Sequence, residues 1–134
     1  MFDEHLLESD SLLICRPAGT LNFDLAMAVI EGIEEREARV DGWFDRFIDM
    51  TLLDGISLSL VEMKKLTQRR RDYNPNQGKV KAGFLAGNAL AFATAKLYEM
   101  LLGSDRIEVR VFRDVEKAAQ WLETDAAKLS PVAA

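Results

Sequence analysis

The chain is poor in side chains that do covalent or metal chemistry. It has one histidine, His5, and one cysteine, Cys15. A Ser-His-Asp relay needs its imidazole beside both a nucleophile and an orienting carboxylate. No G-x-S-x-G elbow presents a serine for that role. One His and one Cys do not complete a zinc site without carboxylates. Asp45, Asp49 and Asp54 are the one acidic set whose spacing suggests a magnesium cluster, since residues four apart on a strand share a face. Carboxylates at strand ends are common, which is the plainer reading. Gly83-Phe84-Leu85-Ala86-Gly87 matches neither the dinucleotide nor the Walker phosphate loop. Cys15 lies in the apolar run Leu12-Leu13-Ile14-Cys15, where a small buried hydrophobe is expected rather than a reactive thiol. The expectation is a chain without metal or cofactor, and not an enzyme.

Serines offer a different chemistry. Ser59-Leu60-Val61-Glu62 fits the S-x-x-E capping box, after a loop expected over 51–57 that contains Asp54-Gly55. Free N–H groups at a helix N-terminus suit an anionic group. A phosphate on Ser57 or Ser59 would add roughly −2 charge there. The plainer reading makes Ser59 only a cap, worth about 1 kcal/mol. The candidate binding or switch loop is Thr51, Asp54, Gly55, Ser57 and Ser59. On the helix that follows, Lys64, Lys65, Arg69, Arg70 and Arg71 read either as a solvated face with a favourable C-terminal dipole or as a contact patch for an acidic partner.

These residues need a frame, and the patterning supplies one. Residues 4–8 and 11–17 read as a hairpin around Ser9-Asp10-Ser11. Asn22 caps a helix to about Arg39, with Leu25, Val29 and Ile33 inward. Gly32 costs that helix about 1 kcal/mol relative to alanine, and Glu34-Glu35-Arg36-Glu37 reads as its solvated face. After the turn at Asp41-Gly42, Trp43 to Met50 reads as a central strand covered on both faces, because Phe47 and Ile48 point oppositely. A helix from Ser59 to about Tyr73 ends at the breaker 74–78. Residues 79–86 and 106–112 alternate as strands, separated by a helix from about Ala89 to Leu102 that Gly103 stops. Asp114 caps a last helix. Residues 125–134 read as a loose tail after a single domain over 1–124. The order β-β-α-β-α-β-α-β-α predicts a mixed, largely parallel sheet of about five strands with about four helices.

The 134 residues suit one domain, and 49% hydrophobic with 29% charged residues suits a globular one. A net charge of −5 repels phosphate backbones, so nucleic acid is not an expected partner. No apolar run reaches the roughly 20 residues of a membrane span. The start Met-Phe-Asp-Glu-His lacks the basic and apolar regions of a signal peptide. A cytoplasmic location is expected.

Several phrases follow one another in the order of a known family. Gly19-Thr20-Leu21-Asn22 is similar to the G-x-L-[DT] exit into the first helix of STAS domains, the fold of bacterial anti-sigma-factor antagonists. Phe47-Ile48-Asp49-Met50-Thr51 looks like the end of their third strand. Val111-Phe112-Arg113-Asp114, followed by Ala118, Ala119, Trp121 and Leu122, resembles the C-terminal phrase of a SpoIIAA-like branch. Together they span about residues 5–123. The resemblance implies a SpoIIAA-like (STAS-type) α/β fold. In the antagonists a partner kinase phosphorylates a D-S-S-G serine. The matching stretch here is Asp54-Gly55-Ile56-Ser57-Leu58-Ser59, which keeps Asp and Ser but not that motif.

The helix from Ala89 is apolar nearly all round. Such a helix is deeply buried or meets something besides its own sheet. Leu90, Phe92, Leu97, Tyr98 and Leu101 are therefore candidates for a homodimer surface or for the wall of an apolar pocket, with plain packing as the third explanation. The leading expectation is a non-enzymatic binding or regulatory module, dimeric and acting through protein–protein contacts around residues 51–62. The alternative is a carrier of a small apolar or lipid-like molecule in a pocket beside residues 89–102.

Overall fold

A computed structural model describes residues 2–40, 42–73 and 78–130. Strands β1 (Phe2–Leu7) and β2 (Leu12–Pro17) form an antiparallel hairpin in which Leu7 faces Leu12. Strands β4 (Asp45–Asp49), β6 (Val80–Leu85) and β7 (Ile107–Phe112) add in parallel, giving the order β1-β2-β4-β6-β7. Each parallel step is bridged by a helix, as a βαβ crossover requires. Helices α1 (Phe23–Arg39), α2 (Leu60–Asp72), α3 (Ala89–Leu102) and α4 (Val115–Leu122) lie where the patterning put them. Their expected N-caps are in place, with Asn22, Ser59 and Asp114 each accepting a backbone N–H. Gly103, at φ 48°, ends α3.

The sheet is covered on both faces. Leu13, Cys15, Ile48 and Met50 pack with Val29 and Ile33 of α1 and Ala91 and Ala95 of α3. Their strand neighbours Leu12, Ile14 and Phe47 pack on the opposite face with Ala118, Ala119 and Leu122 of α4. Gly32 has a steric reason: a Cβ there would come within 2.6 Å of Glu4 and 3.2 Å of Phe2. The helix thus gives up propensity so that β1 side chains can pack against it.

Four expectations are corrected. First, residues 51–57 are not a loop. Leu53–Ser57 is a strand, β5, pairing in parallel with β3 (Gly19–Asn22) as a second two-stranded sheet. Second, residues 125–130 are not loose. Ala126–Leu129 forms a fifth helix, α5, with Leu129 fully buried and its carbonyl accepting from Arg16 Nη2 at 2.7 Å. Residues 131–134 lie outside the described residues, as do Asp41 and positions 74–77 of the expected breaker. Third, the central strand starts at Asp45, and Trp43 is 59% exposed. Fourth, the stretch 34–37 is no solvated face, because Glu34 and Glu37 are buried.

Candidate functional site

Helix α2 packs chiefly on α3 and α1. Under it lies a cavity of about 100 Å³. Ala26, Val29, Ile30 and Ile33 of α1 form one wall, and Thr94, Ala95 and Tyr98 of α3 another. Ile48, Ala82, Phe84 and Ile107 of the sheet make the floor, and Met63 and Leu66 of α2 the roof. The position follows from the sequence locally. Small residues on α1, α3 and β6 (Ala26, Ala95, Ala82) stand where larger ones would fill the gap between roof and floor.

Two guanidinia, Arg46 and Arg70, also line this cavity. They belong to a buried ion network tying α2 to α1 and β4. Arg46 Nη1 donates to Glu37 Oε2 at 2.8 Å, and Arg70 donates to both Glu37 oxygens and to Glu34 at 3.1 Å. Arg69 Nη2 donates to Glu34 Oε1 at 2.7 Å. Arg71 donates to the backbone carbonyls of Leu101 and Leu102 at the end of α3. The acidic partner that Arg69 and Arg70 could have sought elsewhere is therefore α1 of the same chain.

Burial alone would push the Glu37 carboxyl up, but the hydrogen bonds and charges of Arg70 and then Arg46 outweigh it and hold the group below its ordinary range. Burial pulls Arg46 down, only partly offset by Glu37. Burial also pushes the Tyr98 hydroxyl up. Sequence reading missed Glu34, Glu37, Arg46 and Arg70 as a unit. Its one available signal was Arg46, the lone cation in the central strand Asp45–Asp49.

None of the candidate switch residues lines this cavity. Thr51 is bound back to Asp49, whose Oδ1 accepts from the Thr51 amide at 2.9 Å and its hydroxyl at 2.6 Å. Asp54 Oδ1 accepts from the Thr20 hydroxyl at 3.2 Å. Gly55 and Ser57 pair in register with Thr20 and Asn22. Ser59 completes a full capping box with Glu62. Of the α3 candidates, only Tyr98 lines the cavity. Phe92 packs on the main core, and Leu90 is 58% exposed. Leu97 and Leu101 are partly buried.

Asp45, Asp49 and Asp54 stay apart. Asp45 accepts from the Lys81 amide at one end of β4, and Asp49 lies at the other. Among the described residues no group of three His, Cys, Asp or Glu is placed to hold a metal ion. His5 is exposed on the edge strand β1. Cys15 is buried, and burial pushes its thiol up to about 12. No helix among the described residues is long and apolar enough to cross a membrane.

No family model and no curated protein matches the sequence. Among solved structures, the chain is similar to an uncharacterised protein of the DUF3478 family with a SpoIIAA-like fold from Shewanella loihica PV-4. The TM-score is 0.59 at 18% identity, over 91% of this chain and 92% of the other. At that identity the likeness speaks for architecture, and with the strand order above it gives this chain the SpoIIAA-like fold.

Proposed function

We propose that the chain is a non-enzymatic, cytoplasmic binding module whose α2-roofed cavity takes one small, mostly apolar molecule. The cavity itself carries this reading: it is apolar on four sides and sits beside α3. An apolar cavity of similar scale, about 150 Å³, stays dry and admits a molecule the size of benzene. The two guanidinia beside it are ion-paired with Glu37 and Glu34, which supports binding over catalysis. Native mass spectrometry of the protein purified from its own host should show a retained small molecule, released on denaturation. Ala95→Leu, which fills the cavity from α3, should abolish retention while the protein stays folded. A clean apo mass, with no binding of 1-hexanol in calorimetry, sinks the reading.

A second reading, protein contact through the start of α2, has one observation in its favour. Leu52, Leu60 and Val61, around the Ser59 cap, are 47%, 51% and 63% exposed. On this reading the module pairs with itself or with another protein there. Leu60→Lys with Val61→Lys should then lower the mass seen by analytical ultracentrifugation or abolish partner binding. An unchanged monomer in both proteins, with partner binding intact, removes it.

A further inference from the structure

Strand β7 ends one side of the main sheet, and among the described residues no strand pairs with its outer edge. The carbonyls of Arg106 and Phe112, at its two ends, accept from the amides of Val80 and Ala86 on the β6 side. Backbone groups alternate in direction along a strand. The even-numbered residues therefore bond towards β6, and Ile107, Val109 and Val111 turn their amides and carbonyls outward. The Ile107 amide is bound back to Ser104 Oγ at 3.3 Å. An open edge invites another strand, and proteins blunt it with proline, a bulge or repelling charges. Strand β7 has no proline and keeps an unbroken register, and its charges are one acid and one base.

Charge decides which strand fits. Glu108 and Arg110 share one face, with side-chain exposures of 58% and 57%. Within their own strand they are only a loose pair at 3.8 Å, worth little at a surface. Against an antiparallel second copy, Val109 facing Val109 puts Glu108 opposite Arg110, and by symmetry does so twice. It also sets Ile107 opposite Val111, a β-branched pair on the other face. A shift of two residues either way puts Glu108 against Glu108 or Arg110 against Arg110, and like charges directly opposite destabilise. A shift of one residue reverses every side chain. Because Val109 turns its backbone outward, the Glu108–Arg110 position is a non-hydrogen-bonded one, where facing side chains come closest. The other edge, β1, carries the acids Asp3 and Glu4 and no lysine or arginine, so self-pairing there is opposed.

Independently of the cavity reading, we propose that β7 is a homodimerisation edge. Two copies join β7 to β7 in antiparallel about a two-fold axis at Val109, which extends one sheet across both. Helix α3 packs on β7, so the same axis brings the two α3 helices alongside each other and adds contact beyond the strands.

The experiment is sedimentation velocity over a concentration series with the wild type, Glu108→Arg, Arg110→Glu and the two changes combined. Both side chains are exposed, so each variant should fold. The wild type should dimerise. Each single change sets like charges opposite each other twice and should weaken the dimer by about tenfold or more. The combined change reverses both signs and should restore it. Mixing the two singly substituted proteins should also restore it, as a heterodimer. The Val109 amide should exchange slowly in the wild-type dimer and faster in either single variant. A wild type that stays monomeric throughout the series overturns the proposal. So does a dimer that both single changes leave intact, which places the interface elsewhere, or a mixture of the two that stays monomeric.

Discussion

Arg46 on β4 and Glu37 on α1 meet at 2.8 Å with side-chain exposures of 3% and 0%. Arg70 reaches the same carboxylate from α2. One buried acid thus fastens the sheet and both helices at one side of the cavity. Removing a member of such a cluster leaves uncompensated charge out of water, which costs far more than the cluster gains over an apolar core. Glu37→Gln should lower unfolding free energy by about 3–5 kcal/mol. Urea denaturation measures it, and a loss below 1 kcal/mol would mean that water reaches the cluster.

The same acid sets an acid limit on stability. Its pKa is lowered from 4.5 in the fold, chiefly because Arg70 and Arg46 outweigh the opposing effect of burial. A carboxyl with a depressed folded pKa stabilises fully above its unfolded value and loses that contribution as pH falls through the folded one. The urea midpoint should therefore drop as the pH goes below about 4.5. Glu37→Gln, less stable at neutral pH, should show a shallower drop. Parallel acid profiles would remove Glu37 from the account.

Cys15 carries the opposite dependence. Burial first, and the Glu4 charge second, raise its thiol from 9.0 to about 12. An acid whose folded pKa is raised stabilises fully below its unfolded value and loses the contribution as pH rises above it. Stability should start to fall above pH 9.0, and more slowly in Cys15→Ala. Ellman's reagent should leave the native thiol unmodified and react with it completely in concentrated urea. Rapid reaction of the native protein would mean that β2 opens locally.

The end of the described chain belongs to the fold. Leu129 is fully buried against Leu12, Ile14 and Leu122, and the Asp10 carboxylate accepts from Thr124 at 2.6 Å and from Lys128 at 3.2 Å. Leu129→Ala should cost about 2–5 kcal/mol, the range for a leucine removed from a packed core. Thermal and urea unfolding would report it. A neutral result would restore the loose-tail reading.

Local patterning in the sequence determined most of the frame. The alternation of Val80, Ala82 and Phe84 and of Ile107, Val109 and Val111, the caps Asn22, Ser59 and Asp114, and the stop at Gly103 are set by neighbours within a few residues. All of them stand in the structure. Strand β5 was not legible, because Asp54-Gly55 looks like a turn in isolation and becomes a strand only when β3 offers its backbone. The Glu34–Glu37 stretch was misread for the same kind of reason. A carboxylate looks solvated along one helix, and only the arrival of Arg46 and Arg70 from 9 to 36 residues away makes its burial affordable. The cavity lies beyond any single segment. Its volume is the gap left when α2 rests on α1 and α3 above the sheet, with Ala26, Ala82 and Ala95 too small to fill it, a distance that tertiary packing alone fixes.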